Sequence, residues 1–538
     1  MRFETKVIVG SPDFETRKQE MLALIDRLRA LEARAPQLSE QRRARMKERG
    51  QMTPRKRLSA LLDPGLPFVQ LHSLAGYMAD GETEEKSVPG SSLIAGIGFV
   101  SGTRCMILVD DSGIKAGAMG RKTVDVVLSV QEMALKQKLP FIHLVESAGA
   151  NLMEYQVSLW AHGGAMFRNL ARLSAAGIPN IALLHGPSTA GGAYMPGLAD
   201  YVVGVKKNGM AALAGAALVN AATGETANDR DLGGSEMHAA TSGLVEYLAE
   251  DDAHGIEQVR AIVGQLHWNR DSKPMPADAQ APLYAPEELA GVVPADYRIP
   301  YDVREVVARI VDGSDFLDFK PDFGAATVCM QAAIHGMAVG LIGNNGPIDP
   351  AGANKAAQFI QLCDQSDTPL IFLNNTTGFM VGTQYEQAGM IKHGSKMIQA
   401  VTNVEVPKIA LYIGASFGAG NYGMSGYAYE PDFLFSWPNA LTGVMGGEQA
   451  ARTMDVVARA GARRKGVEVD ETRLKAQFDA IKAHFDGQSD AFYTSGQCLD
   501  HGVIDPRDTR RILGFCLATC REARQRSLKP NSYGVARF

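Results

Sequence analysis

Long apolar runs are missing from this chain. No stretch of about 18 or more consecutive apolar residues occurs in its 538 positions, so no membrane-spanning helix is expected. Cysteine is scarce. Cys105, Cys329, Cys363, Cys498, Cys516 and Cys520 are too few and too scattered for a disulfide framework. Only Cys516 and Cys520 lie close together, with no second pair to complete a zinc site. Buried or free thiols in a reducing cytoplasm are the expectation. A strong net charge is absent too: 54 Lys and Arg face 59 Asp and Glu, leaving −5. That balance argues against a general nucleic-acid binder. It leaves room for a local basic pocket that holds a phosphorylated cofactor. Residues 1–17 are charged and lack an apolar core, which does not read as a signal peptide.

Familiar catalytic motifs are lacking as well. Gly96-Ile97-Gly98 has no third glycine and no following helix to make a dinucleotide fingerprint. No GxxxxGK[ST] phosphate loop and no GxSxG elbow occur, and Ser147, Ser188 and Ser416 have no motif-level His and Asp partners. No metal-ligand cluster is evident, so no metal is expected in this chain. Chemistry here has to rest on backbone dipoles.

What is present is an ordinary globular composition, 46% apolar and 21% charged, on a length that predicts two large domains. Residues 1–65 read as a helical, charged segment. Arg42, Arg43, Arg45, Lys47, Arg49, Arg55, Lys56 and Arg57 cluster there; such a run reads first as a solvated helix face, and alternatively as contact with cofactor phosphates or a partner subunit. Thr53 followed by Pro54 is a helix start, with the hydroxyl as cap and Pro in the first turn. Between 271 and 302, Pro274, Pro276, Pro282, Pro286, Pro294 and Pro300 break regular structure and mark a linker. The expected domains are therefore 66–270 and 303–538.

The two halves resemble each other. In the first, a buried run at 139–145 leads into Glu146-Ser147-Ala148-Gly149-Ala150, and a second run at 178–184 leads into HGPSTAGGAYMPG. In the second, 368–373 leads into Asn374-Asn375-Thr376-Thr377-Gly378, and 406–413 leads into GASFGAGNYGMSG. The prolines in these runs, Pro140 and Pro179, then Pro369 and Pro407, are 39 and 38 positions apart. Helical stretches at 123–138 and 354–365 precede each first run. Short apolar strands without alternation, interleaved with helices, predict an α/β architecture with sheets covered on both faces.

Each half thus carries a Gly-rich turn between a buried strand and a helix: Ser188-Thr189-Ala190-Gly191-Gly192-Ala193-Tyr194 and Ser416-Phe417-Gly418-Ala419-Gly420-Asn421-Tyr422. Glycines let backbone N–H groups approach a ligand, and near a helix start those groups can hold an oxyanion. Two such sites suit a reaction with two polarised carbonyls. Valine at Gly192 or Gly420 is expected to collide with ligand and to strain φ.

At these residues the chain resembles the carboxyltransferase (beta) subunit of biotin-dependent acyl-CoA carboxylases. The phrases are RGQMTPRKRLSALLDPG (49–65), IALLHGPSTAGGAYMPGLAD (181–200), LAGAALVNAATGE (213–225), DLGGSEMHAATSG (231–243), FIQLCDQSDTPLIFLNNTTGFMVG (359–382) and VMGGEQAA (444–451). The likeness is collinear from about residue 10 onward. NTTGFMVG (375–382), GMIKHGSKM (389–397) and FGAGNYGM (417–424) carry a narrower resemblance to subunits acting on geranyl-CoA and 3-methylcrotonyl-CoA.

The resemblance implies two crotonase-like domains of ββα spiral units, duplicated in one chain. It implies acyl-CoA against the N-terminal domain, and carboxybiotin against the C-terminal domain of a second copy. The carboxybiotin comes from a partner alpha subunit with biotin carboxylase and carrier domains; the beta subunits form a homo-oligomer, a hexamer, without nucleic acid or membrane. Gly191 and Gly192 match the thioester oxyanion site, and Ala419 and Gly420 the site for the biotin carbonyl. Lys115, Ala148, Gly149, Ala150, Ala211, Ala212 and Ala216 fall on the acyl-CoA side, and Thr377, Gly378, Phe417 and Gly418 on the biotin side. Carboxybiotin would give up CO2, its ureido nitrogen would take the substrate's γ proton, and the dienolate would attack CO2.

The chain departs from the family where branched-enoyl members commonly read SGGA and this one has Ser147-Ala148-Gly149-Ala150. It departs again where methylcrotonyl enzymes usually show Phe before LAGPPLV and this one has Ala211-Ala212-Leu213-Ala214-Gly215-Ala216-Ala217. Smaller residues there enlarge an acyl pocket and favour geranyl-CoA over 3-methylcrotonyl-CoA; propionyl or long-chain acyl-CoA are further alternatives. Two other classes stay open: the transferase subunit of a membrane decarboxylase, distinguished by its neighbouring subunits, and a non-catalytic scaffold, distinguished by label exchange.

Overall fold

The structure is a computed structural model that describes residues 2–79, 83–149, 156–270, 273, 275–276 and 279–530. It divides into two compact units, each built on one sheet. The N-terminal unit comprises Ala30–Pro274, Gly496–Cys498 and Thr519–Phe538; the C-terminal unit comprises Met1–Arg29, Met275–Ser495 and Leu499–Ala518.

In the N-terminal unit the strands are β1 (Val69–Leu71), β2 (Leu93–Val100), β3 (Thr103–Asp110), β4 (Phe141–Ser147), β5 (Asn180–Thr189), β6 (Tyr201–Val205), β7 (Met210–Ala212) and β8 (Tyr247–Ala249). They pair in the order β1-β2-β3-β4-β5-β6-β8, with β7 added beside β5. β1 to β3 are antiparallel and the rest parallel. β2 and β3 join through Ser101 (φ 48°) and Gly102 (φ 74°), two left-handed residues that match the twist of a tight hairpin. β3 and β4 are buried along their whole length, as the unalternating apolar runs predict for a sheet covered on both faces. Against one face, the helices Pro54–Leu61 and Asp252–Gln265 pack Leu58, Leu61, Ile256 and Val259 on Ile107, Ile142 and Ile181. The helices Arg121–Lys136 and Ala165–Ala175 pack together beside the same sheet.

The C-terminal unit repeats the plan. Its strands are β9 (Phe316–Phe319), β10 (Thr327–Ile334), β11 (Met337–Asn344), β12 (Leu370–Thr376), β13 (Lys408–Phe417), β14 (Phe433–Ser436) and β15 (Leu441–Gly443). They run β14-β13-β12-β11-β10-β9, with β15 beside β13. The β10–β11 hairpin turns at His335 (φ 49°) and Gly336 (φ 74°), the counterpart of Ser101-Gly102. The helices Pro350–Gln365 and Met390–Asn403 pack on each other.

The four prolines that mark the repeat have one job. Each sits before a strand and its carbonyl accepts a hydrogen bond from the neighbouring strand: Met106 donates to Pro140, Phe141 to Pro179, Gly340 to Pro369 and Leu370 to Pro407. A proline has no N–H to give at a strand's first position, yet it still accepts there.

Thr53 caps the helix Pro54–Leu61, as its sequence predicts. The basic cluster splits. Arg42, Arg43, Arg45, Lys47, Arg49, Arg55 and Lys56 are exposed, whereas Arg57 is buried and paired with Asp252. The proline-rich stretch is packed in part: Leu289, Ala290, Val292 and Val293 are buried, and the Phe14 ring lies where a side chain on Gly291 would be. Residues 2–29 group with the C-terminal unit.

Candidate active site

In both units a bulge shapes the ends of the two central strands. β4 and β5 keep register to Val145–Leu184, then shift so that Ser147 meets Ser188. β12 and β13 do the same between Asn374–Tyr412 and Thr376–Ser416. Beyond each bulge the first strand bends into a short turn locked by its own hydroxyl. The Gly149 N–H donates to Ser147 Oγ at 3.1 Å, and the Gly378 N–H donates to Thr376 Oγ1 at 3.2 Å. Gly149 (φ 78°) and Gly378 (φ 125°) take backbone conformations that other residues avoid.

The second strand of each pair runs into a helical turn. β5 leads into Ala190–Ala193 and then Tyr194–Gly197; β13 leads into Gly418–Gly423. The first N–H groups of a helical segment have no partner within it and carry its positive end. At the N-terminal turn Gly191 is exposed and Gly192 buried; at the C-terminal turn Ala419 is exposed and Gly420 buried. Close packing excludes side chains at the buried positions. A Cβ on Gly192 would sit 2.8 Å from Ser188 Oγ, and one on Gly420 would sit 2.7 Å from Gly378 Cα. Neither glycine has positive φ, so the expected φ strain is absent and the constraint is steric.

The other candidate residues gather around these turns. Ala148 and Thr377 are the exposed tips between Ser147 and Gly149 and between Thr376 and Gly378; Ala150 lies outside the described residues. Lys115 is exposed on the loop after β3, whose far end is tied to the first turn: Ser147 Oγ donates to Gly117 O at 2.9 Å, and Met119 N–H to Gly149 O at 2.9 Å. β7 sets Ala211 beside Ser188 and Ala212 beside Thr189. Ala211 is buried, and Ala212 Cβ lies 3.0 Å from the Cβ position of Gly233. Ala216 starts the next helix, its N–H held by Asp229 Oδ1 at 2.9 Å. On the second side Phe417 is buried against the edge of Tyr297, with ring centroids 5.5 Å apart, and Gly418 (φ 56°) lies beside Val444.

Beneath the C-terminal turn runs a chain of neutral hydrogen bonds. Asn421 Nδ2 donates to Ser416 Oγ at 2.8 Å, and that hydroxyl donates to Asn374 Oδ1 at 2.9 Å. The Tyr412 hydroxyl accepts from Asn421 Nδ2 and from the Tyr427 N–H, and burial pushes it up to about 12, so it stays neutral. The Ser/Thr locks and Tyr297 were not singled out by sequence reasoning. The locks could have been found by aligning Glu146-Ser147-Ala148-Gly149 with Asn375-Thr376-Thr377-Gly378, which puts a hydroxyl two residues before glycine in both halves. Nothing local marks Tyr297. Among the described residues no group of three or more His, Cys, Asp or Glu converges on a metal site, and no helix is long and apolar enough to cross a membrane.

Each turn can therefore present preorganised donors to a developing oxyanion. Comparison with known proteins points the same way. The carboxyl transferase domain matches residues 45–532. A "probable biotin-dependent acyl-coenzyme A carboxylase beta2 subunit" of Mycobacterium tuberculosis is 49% identical over 471 residues, covering 87% of this chain and 88% of that protein. The biotin-dependent 3-methylcrotonyl-coenzyme A carboxylase beta1 subunit of the same organism is 42% identical over 536 residues, covering 99% of this chain and all of that one. The crystal structure of the P. aeruginosa geranyl-CoA carboxylase beta subunit superposes with a TM-score of 0.93 at 48% identity, covering both chains fully.

Proposed function

The chain belongs to the carboxyl transferase family as the beta subunit of a biotin-dependent acyl-CoA carboxylase, and from that premise we propose that its acceptor is geranyl-CoA. In this reading CO2 is transferred to the γ carbon of a branched enoyl-CoA. The thioester lies at Gly191 and Gly192 with Lys115, Ala148, Gly149, Ala211, Ala212 and Ala216 around it. The biotin ring lies at Ala419 and Gly420 with Thr377, Gly378, Phe417 and Gly418, on a second copy of the chain in a hexamer. Six thiols, all buried and none in a disulfide, fit work in the cytoplasm.

The observation that carries the chemistry is the repeated turn, a helical start with no side chain at Gly192 or Gly420. Carboxybiotin, when bound, supplies both the CO2 and the nitrogen that takes up the γ proton. The N–H groups of Gly191 and Gly192 then hold the thioester oxygen as charge spreads onto it, and those of Ala419 and Gly420 hold the ureido oxygen. Each donor of this kind contributes about 3 kcal/mol to transition-state stabilisation, roughly two orders of magnitude in rate. The family's biotin carboxylase and carrier functions belong to a partner subunit.

Two observations support the longer acyl chain. The full-length structural likeness is to the beta subunit of a geranyl-CoA carboxylase. The β7 segment beside the N-terminal turn carries Ala211 and Ala212, small side chains next to Ser188 and Thr189. A hydrophobic pocket gains about 0.8 kcal/mol per buried methylene, so several extra carbons can supply a preference of some hundredfold before ordering costs. Ala212→Phe is expected to reverse the preference: kcat/KM for geranyl-CoA falls while that for 3-methylcrotonyl-CoA is largely kept. A wild type that strongly prefers 3-methylcrotonyl-CoA, or a folded variant that weakens both equally, would reject the geranyl reading.

A further inference from the structure

The two units differ under their equivalent turns. Asn344 ends β11 and accepts the Asn375 N–H at 3.3 Å; Asp110 ends β3 and accepts the Glu146 N–H at 3.0 Å. The missing side chain of Gly414 makes room for the Asn375 amide, and that of Gly186 makes room for the Glu146 carboxyl. The same structural place thus holds a neutral amide in one unit and a buried acid in the other.

Glu146 joins three segments around the N-terminal turn. Gln51 Nε2 donates to its Oε1 at 3.2 Å and to the His185 carbonyl of β5 at 3.1 Å. Ser112 Oγ donates to its Oε2 at 2.8 Å. Ser112 opens the loop that carries Lys115, and this loop is strained: Lys115 (φ 46°), Ala116 (φ 54°) and Gly117 (φ 71°) are left-handed in succession. Non-glycine residues stay in that region only when their surroundings over-determine it. Asp111 supplies one restraint, accepting from Ser39 Oγ at 2.6 Å and from the Gly113 N–H at 3.0 Å. Two more come from neighbouring residues of β4. Glu146 grips the start of the loop at Ser112, and Ser147 grips its end at Gly117. Burial pushes the Glu146 carboxyl up, while the Arg57 charge and the bonds from Ser112 and Gln51 oppose that shift.

We propose that Glu146 is a positioning residue for the acyl-CoA side of the site, its carboxyl fixing the Lys115 loop and the end of β5 around the Ala148-Gly149 turn. The assignment of this side to acyl-CoA rests on the proposed function above. An amide fills the corresponding place in the other unit, so the role is one of hydrogen bonding and size rather than charge.

The test uses the holoenzyme assembled with its biotin-bearing partner, with 3-methylcrotonyl-CoA or geranyl-CoA and the biotinylated carrier varied separately. Glu146→Ala leaves Ser112 and Gln51 without their shared acceptor, and the KM for acyl-CoA is expected to rise about tenfold with the carrier KM unchanged. Glu146→Gln is expected to restore the acyl-CoA KM, and Ser112→Ala, which leaves the β5 tie intact, to raise it less. A folded Glu146→Ala with wild-type KM for acyl-CoA overturns the proposal. So does a Glu146→Gln as impaired as Glu146→Ala, with kcat and both KM values moving together, because that pattern belongs to general packing. A rise in the carrier KM alone, rescued by Glu146→Gln, would keep Glu146 as a positioning residue and reject the placement of acyl-CoA.

Discussion

Gly192 and Gly420 hold equivalent places, yet what surrounds them predicts different tolerance. A methyl on Gly420 meets Gly378 Cα, which is backbone and cannot step aside. A methyl on Gly192 meets Ser188 Oγ, a buried hydroxyl with no hydrogen-bond partner among the described residues. Without that oxygen the nearest atom of residue 188 is Cβ, at 3.9 Å, an ordinary contact. Gly420→Ala is therefore expected to lower kcat about a hundredfold, the scale of a lost oxyanion donor. Gly192→Ala should lose less, and Ser188→Ala added to it should recover much of the loss. Holoenzyme turnover, with thermal melts to check folding, decides this; a double variant no better than Gly192→Ala would show that Ser188 is not what limits the site. That both glycines sit in tight turns after a buried strand was legible in the sequence. The difference between them was not, because it depends on which atom lies across the turn.

At the scale of elements, the repeat was readable where one residue type has one role. Pro140, Pro179, Pro369 and Pro407 marked the repeat, and β4, β5, β12 and β13 each begin at the next residue. The hairpins at Ser101-Gly102 and His335-Gly336 carry weaker signals, since serine and histidine are not the usual first residue of such a turn. The strand-end bulges left no trace in the sequence, although they bring Ser147 and Thr376 under their glycines. Arg57 shows the limit most sharply. It reads as one of eight basic residues on a solvated face, but its guanidinium is buried against Asp252, 195 positions away, with Nε at 3.0 Å and Nη2 at 2.8 Å. Asp252 Oδ2 also accepts the Met52 N–H at 2.8 Å, so one carboxylate ties the helix Pro54–Leu61 and its leading segment to the helix Asp252–Gln265. Removing one member of a buried pair strands the other charge and costs roughly 3–5 kcal/mol. Arg57→Ala is expected to destabilise the protein by that amount in urea unfolding, whereas Lys56→Ala, an exposed neighbour, should change it by less than about 0.5 kcal/mol. Equal effects would place Arg57 with the solvated residues after all.

The whole molecule is two copies of one plan, and the family resemblance captured that plan from phrases spread along almost the full chain. What it did not reveal is how the chain ends are shared. Thr5 and Lys6 bond Glu305, about 300 positions on, so the first residues belong to the C-terminal unit. The last helix, Thr509–Gln525, is divided: Arg510 pairs with Asp312 in the C-terminal unit, and Glu522 with Arg104 in the N-terminal unit. Contacts of such sequence separation have no local pattern to betray them.

In the proposed function this chain supplies oxyanion-holding turns and depends on a partner for activated CO2. The most direct test is carboxylation of acyl-CoA from bicarbonate and ATP, measured with the purified chain alone and with its biotinylated partner, over a panel that includes geranyl-CoA and 3-methylcrotonyl-CoA. The predicted result is no product from the chain alone, product on adding the partner, and loss of most of that product with Gly420→Val. Carboxylation by the chain alone, or wild-type turnover by a folded Gly420→Val, would contradict it.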